Sequence, residues 1–319
     1  MTLRARLVPV GLALVLLGAA AGCGGSASST SSGGVAKLEV GVVPVIDVAP
    51  LFLGVSKGFF TEEQLDVTPK PIQAGATIAA SVVSGALPIG FANNTSLLIA
   101  ASKNLPIHLV AAGNQAADGD YAGVIAGTES GIRTPQDLVG KKIGVNGLNN
   151  VGSLTVNAGL EANGVDYTKL TYVEIPFPDM AAALSQKRVD AVWAVEPFVS
   201  AIKAAGSGQM VFRPYPAIAP HFPVASYFTS ENYRKANASV VDRFRRAMNK
   251  SLEYAQTHPD EVRKILPTYI KITQQVADQV VLPEWSKDIG AELLGRTADY
   301  ALKYGYLTTK PDIAKLTAT

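Results

Sequence analysis

Short apolar runs alternate with amphipathic stretches from residue 38 to residue 212, and this alternation restricts the possible folds more than any other feature of the chain. Leu38-Glu39-Val40-Gly41-Val42-Val43 has period two and predicts a strand. Residues 50–57 predict a helix that begins with Pro50 in its first turn and stops at Gly58. Strands at 65–68, 88–92 and 106–112 and helices at 76–84 and 94–103 continue the series. A second series follows, with strands at 121–126, 142–145, 170–176, 189–195 and 210–212. Its helices are expected at 151–162, 179–187 and 197–205, and Thr134-Pro135-Gln136-Asp137 reads as a capped helix start. Such alternation implies parallel sheets with helices on both faces. Beyond Tyr227 the pattern turns helical, at 239–256, 259–266, 273–281 and 291–304. The expectation is an α/β chain of two lobes, residues 37–122 plus 226–319 in one and 123–225 in the other. The chain would cross between them near 120–126 and 222–228, and the helical tail would pack on the first lobe.

The N-terminal residues predict export. Arg4 and Arg6 precede an uncharged apolar stretch, residues 7–22, that ends in Ala20-Ala21-Gly22-Cys23. Basic, apolar, then small is the order of a secretory signal peptide, expected over residues 1–22, and the stretch is short for a membrane span of about 20 apolar residues. Cys23 is the only cysteine, so no internal disulfide is possible. Its position resembles the bacterial lipobox, which implies acylation of Cys23 and an anchor on the outer face of the cell membrane; Ala20 stands where that motif usually has Leu. Residues 23–36 contain a Gly/Ser run that predicts a flexible tether. Loss of Arg4 and Arg6 would bring the 28 lysines and arginines level with the 26 acidic residues. A neutral body argues against nucleic acid or a polybasic membrane contact as the partner.

Several blocks resemble one family. Residues 50–67 (PLFLGVSKGFFTEEQLDV), 84–91 (SGALPIGF), 134–144 (TPQDLVGKKIG) and 189–198 (VDAVWAVEPF) are similar to the nitrate/sulfonate/taurine substrate-binding family, which includes thiamine-pyrimidine-precursor binders. The resemblance continues through His258-Pro259-Asp260-Glu261 to Tyr304-Gly305-Tyr306-Leu307. The chain departs at Gln64, where the family usually has Gly, and at Leu87-Pro88. The resemblance implies a two-lobed periplasmic-binding-protein-like fold that closes on its ligand. It also implies a monomeric binding module without cofactor or catalysis, whose partners are the permease and ATPase of an ABC importer. A pyrimidine-precursor enzyme on the same fold and a sensor lipoprotein are the competing expectations. The ligand is expected to be a sulfonate, a nitrate-like anion or a small aromatic or pyrimidine.

Candidate contacts follow from topology. Ligands of parallel α/β sheets bind beyond the carboxyl ends of strands, where loops enter helices. That rule selects Asp47, Thr77, Asn93 and Asn94 in the first series and Ser153, Phe177 and Glu196 in the second. For the asparagines and Thr77 the competing role is helix capping, and for Glu196 it is a helix-end or hinge contact. Trp193, in mid-strand, predicts core packing. These loops carry no Arg or Lys, so an anion there would depend on backbone N–H groups. His108, His221 and His258 are too scattered for a metal site; His258 is expected to cap a helix, and His221 lies near the return crossing.

Overall fold

The computed structural model describes residues 34–318. The expected signal peptide, Cys23 and most of the tether lie outside the described residues. Among the described residues, ten strands form two five-stranded sheets of identical plan. The first contains β1 (Ala36–Val42), β2 (Leu65–Pro71), β3 (Ile89–Asn93), β4 (Ile107–Gln115) and β10 (Pro223–Ser230), in the order β2-β1-β3-β10-β4. The second contains β5 (Ala122–Gly127), β6 (Lys142–Val145), β7 (Thr171–Glu174), β8 (Ala191–Val195) and β9 (Gly208–Phe212), in the order β7-β6-β8-β5-β9.

Both sheets are mixed, which corrects the expectation of parallel sheets. β10 runs antiparallel to β3 and β4, and β5 runs antiparallel to β8 and β9. These are the two strands by which the chain arrives from the other sheet, and a strand that enters from the cleft side must run back against its neighbours. Strand pairing also places the ends of the crossings. Ala122 pairs with Val195 in the second sheet, while Pro223 and Ala225 pair with Gln115 and Asn114 in the first. The sheets therefore begin one residue before 123 and three before 226. All eight residues of β10 are buried.

The helices form where polar caps and apolar spacing coincide. Asn93 and Asn150 each accept a backbone N–H at a helix start, from Ser96 and Gly152. The tail helix Ala238–Thr257 buries Val241, Phe244, Ala247, Met248, Ser251, Leu252 and Ala255, one stripe of its surface. That stripe lies on the helix Ala49–Ser56 and on β4. The helices meet at Gly54, where a Cβ would stand 2.0 Å from Ser251 Oγ. The tail also reaches the second sheet's layer. Tyr300 donates to the Ala217 carbonyl at 3.2 Å, and Lys303 and Tyr304 both contact Glu161. Gln115 and Glu284 form a reciprocal backbone bridge beside the first crossing.

Gln64 has φ 55°, in the left-handed region. The conformation explains why glycine suits this position.

Candidate functional site

The carboxyl ends of β1, β3 and β4 meet those of β6, β8 and β9 across the two crossings. A polar cluster with unusual properties lies at this junction. Asp47 follows β1 and is buried, and its Oδ1 accepts the Tyr121 hydroxyl at 2.5 Å. Tyr121 in turn accepts from Asn114 Nδ2 at 2.8 Å. Asn94 donates to the Pro223 carbonyl at 2.9 Å, which ties the start of a helix to the start of β10. Several buried polar atoms have no protein partner: Asn94 Oδ1, Asn114 Oδ1, Ser226 Oγ, Trp193 Nε1 and the hydroxyls of Tyr215 and Tyr227. Native interiors leave few such groups unpaired, and each carries a desolvation cost of about 1–3 kcal/mol.

Aromatic rings line the second-sheet side. Phe177 stacks on Phe198 with centroids 5.4 Å apart, and tilts against Trp193 at 6.0 Å. Trp193 meets Tyr215 edge-on at 6.3 Å, and Tyr215 stacks on Phe222 at 5.0 Å. Gly152 opens the helix Val151–Ala162 directly beneath Trp193, where a Cβ would stand 2.7 Å from the indole.

The electrostatics are set by burial. Asp47 is pushed up to about 7, chiefly by desolvation, against the Tyr121 and Asn114 hydrogen bonds. Burial first, and then the Asp47 charge, raises Tyr121, Tyr215, Tyr227 and Tyr269 well above their ordinary range. Among the described residues no Lys, Arg or His forms an ion pair with Asp47. Lys103 and Lys271 instead line two grooves bounded by loops of both sheets. One groove, about 440 Å³, includes Thr77, Lys103, Asn150 and Tyr306; the other, about 370 Å³, includes Phe177, Phe198, Tyr269 and Lys271. A further groove beside His108, Arg234 and Lys310 lies at the opposite end of β4, away from the strand ends.

The residues expected from sequence divide accordingly. Asp47 and Asn94 belong to the polar cluster. Asn93 caps the helix Asn94–Ser102 through Ser96 N–H at 2.9 Å. Thr77 is exposed and lines a groove shared with Asn149 and Asn150 of the second sheet's loop. Ser153 is buried and donates to the Asn150 carbonyl at 3.3 Å. Phe177 is part of the aromatic row.

Glu196 has a different environment from the one a ligand contact requires. Oε2 accepts Ser200 N–H at 3.0 Å, and Oε1 accepts Ser200 Oγ at 2.8 Å and Val281 N–H at 3.1 Å. Burial raises its carboxyl while these bonds oppose the shift. With both oxygens engaged by protein donors, Glu196 caps the helix Phe198–Ala204 and fastens the tail. His258 stands at the N-cap of the helix Pro259–Ile265, but its side chain makes no capping bond; it stacks on Tyr254 and contacts the Tyr254 carbonyl at 2.9 Å. His221 pairs with Glu284 at 2.8 Å and is exposed.

Sequence reasoning missed Asn114, Tyr121, Tyr215, Tyr227 and Ser226; Trp193 is buried in the core, as the mid-strand position led us to expect. The signal was available for two of them, since Asn114 ends β4 and Tyr215 follows β9.

Two mixed sheets of the same order, joined by paired crossings around such a junction, define the two-lobed periplasmic-binding-protein fold. The chain belongs to the NMT1/THI5 like family, whose model matches residues 45–262. Among curated relatives, the formylaminopyrimidine-binding protein of Halalkalibacterium halodurans is 28% identical over 68% of this chain, and the riboflavin-binding protein RibY of Chloroflexus aurantiacus 26% over 86%. The chain spans 65% and 78% of their respective lengths. A third relative, the 4-amino-5-hydroxymethyl-2-methylpyrimidine phosphate synthase of Aspergillus parasiticus, is 27% identical over 66% of this chain and 64% of its own. Among solved structures, the alkanesulfonate-binding protein SsuA of Xanthomonas axonopodis pv. citri bound to MOPS superposes with a TM-score of 0.77 at 18% identity, covering 90% of this chain and 99% of that one. At that identity the likeness shows the fold.

Proposed function

We propose that the protein is the solute-binding component of an ABC-type importer and that it captures a small planar nitrogen heterocycle between its two lobes. The observation that carries this reading is the set of buried, unpartnered polar atoms drawn from both sheets beside an aromatic row. A site of this kind supplies stacking area together with convergent hydrogen-bond donors and acceptors. Two curated relatives named for binding a formylaminopyrimidine and riboflavin support the class. A sulfonate or nitrate suits the cluster less well, because its central ionisable group is acidic and, among the described residues, no Lys, Arg or His forms an ion pair with it.

Export and acylation at Cys23 complete the reading. The Ala-Ala-Gly-Cys sequence and the Gly/Ser run after it would hold the body at the outer face of the membrane, where permease and ATPase partners receive the ligand. Cys23→Ser is expected to release the protein from the membrane fraction, and wild-type protein without a lipid-adduct mass would overturn the anchor.

The ligand is tested by thermal shift with 4-amino-2-methylpyrimidine, riboflavin, methanesulfonate and nitrate. A binder of the folded state raises the melting temperature by mass action. The heterocycles should shift it and the anions should not. The synthase relative favours a second reading, catalysis on a pyrimidine precursor. Mass spectrometry of the bound compound distinguishes the two, since a binding protein returns it unchanged.

A further inference from the structure

We propose that Asp47 selects the ligand by class: its carboxyl group pairs side-on with a ring nitrogen and the adjacent exocyclic amino group of a planar base, sharing one proton with it, and turns oxyanions away. The proposal rests on the reading of the interlobe junction as a solute site.

The groups that face Asp47 come from every surrounding element, and none is a cation. Tyr121 leads into β5, Asn114 ends β4, Tyr215 follows β9, Tyr227 lies in β10 and Tyr269 in the tail. Oδ1 accepts the Tyr121 hydroxyl, and among the described residues the only other groups that favour the ionised carboxyl are the Asn114 side chain and the Asp47 backbone N–H, both neutral. A carboxylate so placed lacks the paired charge that burial ordinarily demands. The group is held near its protonated form, with its midpoint at about 7. A protonated carboxyl offers an O–H donor and a C=O acceptor side by side. A ring nitrogen next to an amino group offers the complementary acceptor and donor.

The surrounding unpaired atoms favour the same class. Asn94 Oδ1 and Asn114 Oδ1 are buried acceptors without protein donors. Acceptors in that position call for N–H groups on the ligand. An oxyanion would gain nothing from the carboxyl and the two carbonyl oxygens, and would rely on the Trp193 N–H and the hydroxyls of Ser226, Tyr215 and Tyr227 alone.

The proton balance gives the test. Below pH 7 the free protein already holds the shared proton, and a neutral base adds without proton exchange. Above pH 7 the free carboxyl has ionised, and forming the same pair requires one proton from solvent. Affinity should then fall by up to tenfold for each pH unit. No covalent bond forms or breaks.

Calorimetry on the full-length protein, with 4-amino-2-methylpyrimidine and methanesulfonate between pH 6 and 9 in two buffers of different ionisation enthalpy, decides the matter. Corrected for the aminopyrimidine's own protonation, titrated separately, wild-type protein should bind it with level affinity below pH 7, a falling affinity above it, and uptake approaching one proton at pH 8.5. Methanesulfonate should not bind. Asp47→Asn offers the same donor–acceptor pair without a proton to lose, so it should bind the aminopyrimidine with no pH slope. Should that variant fail to fold, Tyr121→Phe serves. Removing a donor to the carboxylate should move the break in the wild-type profile to higher pH. The proposal is overturned by an aminopyrimidine affinity that ignores pH, or by binding of methanesulfonate or nitrate in its place. If no member of the thermal-shift panel binds, the solute-site reading itself fails, which is a separate outcome.

Discussion

Replacing Asp47 with Asn tests the burial of the carboxyl without any ligand. The two side chains have nearly the same shape, and Asn keeps an oxygen to accept the Tyr121 hydroxyl. They differ in ionisation. Asp in an unfolded chain titrates near 3.9, whereas in the fold Asp47 titrates at about 7. The folded state therefore holds the proton more tightly, and stability contributed at low pH is lost as pH rises from about 4 through 7. Relative to a group that never ionises, the cost reaches about 1.5 kcal/mol at pH 5 and about 4 kcal/mol at pH 8. Asn adds a constant cost for its buried N–H₂ group, on the order of 1–3 kcal/mol, which does not vary with pH. The stability of the Asn variant minus that of wild type should thus move in the variant's favour by about 2.5 kcal/mol between pH 5 and pH 8. Comparing the two proteins at each pH removes contributions common to both, including Glu196, whose carboxyl is raised, and His108, whose burial lowers it. Urea denaturation at pH 5, 6, 7 and 8 measures the difference. A difference that stays flat over this range would show that Asp47 is ionised throughout, and the electrostatic account of the site would fall with it.

The remaining expectations concern backbone and packing. Gln64→Gly should stabilise the protein by about 1 kcal/mol, because φ 55° strains any side chain with a Cβ; an unchanged or lower urea midpoint counts against it. Gly152→Ala should cost about 1–3 kcal/mol and weaken ligand binding, since its Cβ would press on the buried Trp193 ring, 2.7 Å away; indole fluorescence and calorimetry report both effects. Glu196→Ala should destabilise by about 2–4 kcal/mol, by leaving the Ser200 and Val281 N–H groups without an acceptor. It should change ligand affinity less than threefold once the variant is folded, and a larger loss would make Glu196 a ligand contact.

Legibility of the chain varied with the kind of signal. The strand Lys142–Val145 and the helix Val151–Ala162 fall at the residues the periodicity selects, because polar asparagines bound the helix start and no competing pattern overlaps. β10 was read only as a crossing. It is buried along its whole length, so its residues show no alternation, and Pro223 at its head suggests a loop. Strand direction was illegible for a related reason: β5 and β10 run against their neighbours because of where the chain comes from, which no local pattern records. The site followed the same division. The strand-end rule selects Asp47 and Asn94, which lie in the polar cluster and stand on loops that enter helices. It passed over Asn114 and Tyr227, which are inside strands, and Tyr121, which stands on a crossing. Glu196 was ambiguous because a helix cap and a ligand carboxylate occupy the same place in sequence; only the Val281 N–H, 85 residues away, separates them.

The distribution of these contacts ties capture of a ligand to the relation between the sheets. Asp47 belongs to the loop after β1, and Tyr121 is held to the second sheet by its carbonyl, which accepts Glu196 N–H at 2.9 Å. The same Glu196 accepts Ile46 N–H on its own carbonyl at 3.1 Å and Val281 N–H on its side chain. One residue at the end of β8 thereby joins the first-sheet loop, the crossing and the tail. A rotation of one sheet against the other cannot leave all of these bonds in place. The Tyr121–Asp47 contact would be among those to lengthen, and with it would go a donor that favours the ionised carboxyl. Opening toward solvent acts in the other direction, by removing the desolvation that raises Asp47 in the first place. Desolvation is the larger influence on this group, so the midpoint near 7 belongs to the closed junction, and a population of open molecules would move the break in the pH profile to lower pH.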